Sequence, residues 1–167
     1  GYTIASGLIF GSFIGYLSSS QQILQIQYGL GNLFSLYFGG LALTIGLSSF
    51  ANSRLLAHFS MEKLCITSLC IITALSLAFY AYIHSLTTQP GLTVFMAYLI
   101  SLFFCVGTLF GNFNAMAMQP MGHIAGVANS VISSIQTLIS VSVGGTIGLF
   151  YNGTVQPLVL GFLLCSI

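Results

Sequence analysis

Asn129, Ser133, Gln136 and Ser140 follow one another at steps of four, three and four. On a helix this spacing places all four side chains on one face. They lie in an apolar run at 125–150, with Gln136 near its middle. A primary amide in an apolar medium needs a hydrogen-bond partner or water. The stripe therefore joins two helices or lines a polar cavity, and the spacing leaves both readings open. It is not equipped for proton transfer. The chain has no aspartate, and its single glutamate, Glu62, stands outside the apolar runs.

The remaining reactive side chains are equally sparse. The three histidines, His58, His84 and His123, map to loops or span ends, where His58 and His123 are expected to be solvated. The four cysteines, Cys65, Cys70, Cys105 and Cys165, form no C-x-x-C pair and lie in apolar runs, as small membrane-buried hydrophobes do. Clustered carboxylates and histidines for a catalytic metal are missing. No G-x-S-x-G elbow is present. The reading is a protein that is not an enzyme and has neither metal site nor bound cofactor.

Charged residues make up 2% of the 167 residues and hydrophobic ones 56%. An average soluble domain carries about 25% charged residues. Mean hydropathy is +1.03. Such a chain cannot supply a polar shell, so its partner over most of its surface is the lipid bilayer. Net charge is +1 with no basic patch, which argues against nucleic acid.

Apolar runs long enough to span hydrocarbon fall at about 2–20, 32–51, 64–84, 92–117 and 125–150, and a sixth, shorter one runs from 157 to 167. Pro90, Pro120 and Pro157 all fall at breaks, where a residue without an N–H belongs. "TTQPG" at 87–91 and "NGT" at 152–154 are polar turns. The runs are too long and too uniform for barrel strands. The expected fold is an all-α membrane protein, one six-transmembrane-helix domain over residues 1–167, read as a piece of a longer protein with its first and last helices truncated. Residues 21–26 are expected to form an amphipathic extension of the first helix.

Arg54, Glu62 and Lys63 all stand in the link at 52–63. A Lys or Arg at a helix centre costs about 2.5–3.5 kcal/mol, against about 0.3–0.6 kcal/mol returned by each Leu or Ile. Charge is therefore confined to a rim. Because Lys and Arg collect on the cytoplasmic side, the 52–63 link is expected to be inside, together with the loop at 118–125.

Glycines recur four apart: Gly7, Gly11 and Gly15, then Gly107 and Gly111, then Gly144 and Gly148. This spacing lets helices approach closely. It fits tight packing or a sliding seam. Asn112 and Asn114 lie near the inner end of the fourth span and point in different directions, so at most one faces a cavity easily.

"FGSFIGYLSSSQQILQIQYGLG" resembles the seventh helix and following turn of major facilitator superfamily drug transporters, in particular the bicyclomycin-resistance (Bcr/CflA) efflux family. Phe13, Tyr16, Ser20, Tyr28, Gly29 and Leu30 carry the likeness. "ANSRLL" resembles the inner end of that family's helix eight. "NFNAMAMQPMGHIAGVANSV" resembles the end of helix ten and the start of helix eleven, through Pro120, Gly122, His123, Ala125, Gly126 and Ala128. "YNGTVQPL" resembles the turn before helix twelve, through Gly153, Thr154, Pro157 and Leu158. Gln21, Gly31, Gln119 and Asn152 depart from the family pattern, which has proline, serine, glutamate and aspartate there.

The resemblance implies the C-terminal half of a twelve-helix secondary transporter, working by alternating access against its N-terminal six-helix half. It implies a multidrug-efflux antiporter of the inner (plasma) membrane, driven by the proton gradient and acting on small-molecule substrates. Helices seven and ten would line the cavity, and eight and eleven would meet the other half. Tyr16, Asn112 and Gln136 are then the expected cavity or interface residues, and Phe13 and Phe104 an aromatic wall for drug-like molecules. The competing reading is a non-transporting membrane scaffold, with the glycine faces serving assembly alone.

Overall fold

The computed structural model describes residues 1–86 and 88–167; the side chain of His123 is also outside the described residues, and with it the expectation that this imidazole is solvated. Six α-helices follow in order: α1 (Tyr2–Gln21), α2 (Phe34–Leu55), α3 (Met61–Ser85), α4 (Leu92–Met118), α5 (Ala125–Leu149) and α6 (Gln156–Ser166). No strand occurs among the described residues. The segments Gly31–Leu55, Met61–Ser85, Leu92–Gly122 and Ala125–Leu149 are long and apolar enough to cross a membrane. The more serine-rich α1 and the 11-residue α6 are not among them. The fold is an all-α, six-helix membrane bundle.

The charged link is shorter than its residues suggest. Helix α2 continues through Arg54 to Leu55, and α3 begins at Met61, so only residues 56–60 connect them. Helix electrostatics account for this. Arg54 sits in the last turn of α2 and Glu62 in the first turn of α3, where each opposes the local end of the helix dipole. Such placements contribute about 0.3–1 kcal/mol each. Ser60 caps α3 by accepting from the Lys63 backbone N–H at 3.5 Å. The Arg54 guanidinium lies 5.2 Å from the centre of the Phe50 ring.

Helices α1, α4, α3 and α6 form a ring of mutual contacts. Helix α2 lies outside this ring against α4, and α5 outside it against α1. Phe95, Leu99, Leu102, Phe103 and Leu109 of α4 are fully buried and meet Tyr16, Ile72, Val159 and Phe162 in the shared core. Lipid is as apolar as leucine and does not drive helices together, so close packing and hydrogen bonds must do so. One such bond joins the Ser76 and Tyr98 hydroxyls at 3.0 Å across α3 and α4.

Beyond α1 the expected amphipathic extension at 21–26 forms, with part of its apolar side packed into the bundle. Gln22–Gln27 is wound as a π-helix, and Ile23 and Leu24 are completely buried. The wider winding turns both apolar side chains inward and leaves Gln21, Gln22 and Ile26 outside. The following turn has Gly29 at φ +64° and Gly31 at φ +48°. A serine cap at position 31 would be strained in this conformation, which explains the glycine there.

Candidate functional site

The α1–α5 seam is built from glycine notches and branched side chains. Atoms of Ile139, Val143 and Ile147 lie within 3.0, 2.7 and 2.8 Å of where a Cβ on Gly7, Gly11 and Gly15 would stand. These pairs rise together along both chains, so α1 and α5 run parallel. On the other side of the seam, Gly144 receives Ile14 and Gly148 receives Ser18. Two polar contacts set the register. The Gln136 amide donates to Ser6 Oγ at 2.9 Å, and the Ser140 hydroxyl donates to the Gly7 carbonyl at 2.9 Å.

The four-residue polar stripe is therefore divided. Gln136 and Ser140 are buried in the seam, whereas Asn129 and Ser133 are exposed. Gln136 is level with Ser6, so Asn129, two turns earlier, lies beyond the start of α1. Ser133 opens onto a shallow groove of about 550 Å³ on the outer side of α5, lined also by Ser134, Thr137, Leu138, Val141 and Ser142. Ser134 and Ser142 donate to the carbonyls of Ser130 and Leu138, four residues back. Ser133 and Thr137 have no such partner among the described residues.

A second polar centre joins α2 to α4. Asn52 and Asn112 exchange two amide hydrogen bonds, each 3.0 Å long, and both residues are buried. A turn earlier, Ser48 occupies the space over Gly107. Asn112 thus faces α2, within the bundle. Asn114 points elsewhere, as expected for the second of two such residues, and its Oδ1 is buried without a partner. Gly111 has nothing within 4 Å of a would-be Cβ and belongs to no close contact.

The aromatic residues gather between α1, α4 and α2. Phe13 meets Phe103 edge-on at 5.3 Å, and Tyr16 meets the same ring at 4.9 Å. Phe38 of α2 stacks on Tyr16 at 6.3 Å, and Phe10 stacks on Phe110 at 4.9 Å. Phe104 is 38% exposed and outside this group. Its neighbour Phe103 holds the central place, since one residue along a helix turns the side chain by about 100°.

Tyr16 is only 1% exposed, yet its hydroxyl has no partner. A buried unsatisfied polar group costs about 1–3 kcal/mol. Tyr16→Phe is therefore expected to raise the unfolding temperature in detergent. A Tyr16→Phe protein that melts below its parent would show that the hydroxyl is satisfied after all.

Sequence periodicity located Gln136, Ser140 and most of the glycines. It missed Ser6, Asn52 and Phe103. Ser6 is one of several serines in α1, and only the partner helix distinguishes it. By sequence Asn52 opens the charged link, because Ser53 and Arg54 follow it. The three buried groups of contacts, the seam, the amide pair and the aromatic cluster, all border α1 or α4. Among the described residues no group of three or more His, Cys, Asp or Glu side chains is placed to hold a metal ion.

This arrangement packs helices and presents aromatic and amide groups. Glu62, the one carboxylate side chain, is exposed and lies outside it. The chain's likeness to known proteins points the same way. The chain is 26% identical over 153 residues to "Uncharacterized MFS-type transporter YdgK" of Bacillus subtilis (strain 168), a match covering 89% of this chain and 37% of that protein. The chain thus spans little more than a third of the length of this relative. No protein-family profile matches the chain. No solved structure matches it. The fold is that of a multi-pass membrane protein, and the relative it resembles is described as an MFS-type transporter.

Proposed function

We propose that this chain is the C-terminal six-helix half of a major facilitator secondary transporter, and that the whole protein exports drugs or other small molecules by proton antiport. The observation that carries the reading is the open face of α5. One side of this helix is pinned to α1, while the other exposes the unpartnered hydroxyls of Ser133 and Thr137 beside Leu138 and Val141. In hydrocarbon a free hydroxyl is penalised. A facing helix or a water-filled path removes that penalty, and a six-helix partner half supplies both. The similarity to an MFS-type transporter and the resemblance to Bcr/CflA efflux proteins support the same assignment.

In this reading α1 and α4 bring Phe13, Tyr16 and the neighbouring rings toward the substrate path. Helices α2 and α5 meet the other half. Gln136 acts through Ser6 by holding α5 in line, and is a positioning residue. The groups that carry protons belong to the rest of the polypeptide, because this chain's only carboxylate side chain is the exposed Glu62. The positive charges of Arg54 and Lys63 support a cytoplasmic side for the short α2–α3 connection, and with it for the α4–α5 connection, in the inner (plasma) membrane.

The test is drug tolerance and vesicle uptake by the full-length protein and its Gln136→Leu variant. Interhelical hydrogen bonds in membranes contribute about 0.6 kcal/mol on average and about 1.7 at most. Loss of that alignment in the transporting conformation is expected to slow efflux by about threefold to eighteenfold. Unchanged efflux in a folded variant removes Gln136 from the mechanism. Absence of any efflux by the parent favours the scaffold reading.

A further inference from the structure

The outer ends of the helices carry a hydrogen-bonded cluster that neither the seam nor the aromatic group explains. Gln27 is the last residue of the π-wound segment. Its amide N–H donates to Gln89 Oε1 in the α3–α4 turn. Its carbonyl oxygen accepts from the Tyr151 hydroxyl in the α5–α6 turn at 3.1 Å. Gln89 in turn donates to the Gly153 carbonyl at 3.0 Å. Beside them the Tyr28 hydroxyl donates to the Pro90 carbonyl at 2.9 Å. Burial pushes the Tyr28 phenol up to about 12, so it remains a donor through neutral pH. Two connections far apart in sequence, α3–α4 and α5–α6, are thereby tied to one side chain, Gln27.

The segment that Gln27 terminates is unusual. π-Helical turns are rare and are frequent at functional sites. Here the Tyr28 N–H reaches the Ile23 carbonyl at 3.0 Å and the Leu30 N–H reaches the Leu24 carbonyl at 3.2 Å, one or two residues further back than an α-helix reaches. Rewinding to α would advance the end of the segment by one residue, about 1.5 Å along the axis and about 100° around it. That turn would carry Gln27 away from Gln89 and Tyr151 and loosen the packing of Ile23 and Leu24 in the core. An open cavity of about 230 Å³ lies beside Gln89, between the α3–α4 and α5–α6 turns, and leaves the turns room to part.

We propose that Gln27, Gln89 and Tyr151 form a latch that holds the outer end of α1 in its π-wound form, and that opening the latch lets this end rewind and swing during the transport cycle. The latch is a property of the fold. Its role in the cycle rests on the transporter reading above.

Two measurements on the full-length protein separate the two statements. In the first, Ile23→Cys is labelled in detergent by a water-soluble maleimide and read by peptide mass spectrometry at position 23. Adding Gln27→Leu is expected to speed labelling at least tenfold. Gln89→Leu, which cuts the same bond from the other side, should do likewise, and thermal melting confirms that each variant is folded. Labelling unchanged in the folded Gln variants overturns the latch. In the second, Gln27→Cys and Gln89→Cys are joined by a short, reducible bis-thiosulfonate reagent. Drug efflux is expected to fall at least tenfold and to return on reduction. Undiminished efflux after cross-linking overturns the role in the cycle. If the parent shows no efflux, the transporter reading fails, and labelling at position 23 still decides the latch.

Discussion

Gly144→Ala is expected to be the most damaging single methyl group that can be added to this chain. A Cβ at position 144 would stand 2.5 Å from Ile14 Cγ2 and 2.9 Å from the Gly11 carbonyl oxygen. Ile14 cannot escape by turning to another rotamer, since its own Cβ would be 2.7 Å away, and the carbonyl is part of α1; both move only if the helices separate. Separation breaks the Ser140 bond to Gly7 and lifts Val143 from its notch over Gly11. Overpacking of a tight core costs about 1–3 kcal/mol, occasionally more. The upper end applies here because backbone is the obstacle. Gly145→Ala is the internal control. Nothing lies within 4 Å of its would-be Cβ, and alanine is favoured over glycine in a helix by about 1 kcal/mol. Unfolding of the full-length protein in detergent should therefore show the Gly144 variant well below its parent and the Gly145 variant at or above it. Equal melting of the two would contradict the seam.

Asn112→Leu should carry the second largest effect. It leaves the Asn52 amide buried against a hydrocarbon side chain with both of its hydrogen bonds gone. The cost of a stranded buried polar group is about 1–3 kcal/mol. The pair itself contributes less, about 0.6 kcal/mol on average for such bonds in membranes. The double variant, with Asn52→Leu added, should therefore recover most of the stability lost by either single change. The same unfolding assay, run as a double-mutant cycle, measures this coupling. Additive losses would mean that the two amides do not depend on each other.

These expectations mark the border between what periodicity reveals and what it leaves out. The helices were legible because hydrocarbon imposes a simple rule: apolar runs of sufficient length, with proline and charge at the rims. Even the short α2–α3 connection obeys it, since Arg54 and Glu62 sit at helix ends whose dipoles favour them. Glycines four apart announced close approach, and Gly7, Gly11, Gly15 and Gly144 deliver it. Gly111 has the same spacing and lies in the open. Period alone cannot say whether a second helix is present on the face it defines.

Composition and spacing were enough to establish an all-α membrane bundle with charge held at its rim, because the cost of an ion or a free backbone group in lipid exceeds any local preference. Which residues meet was settled by packing. Nothing in the spacing of α5 tells that Gln136 bonds Ser6 while Ser133 faces outward, or that Phe103 rather than Phe104 receives Phe13 and Tyr16. Nor does it show that Gln27 ties two distant turns to the end of the first helix. Each of these contacts joins segments remote in sequence, and their partners follow from the rotation and depth of one helix against another. Those two quantities exist only once the helices are side by side.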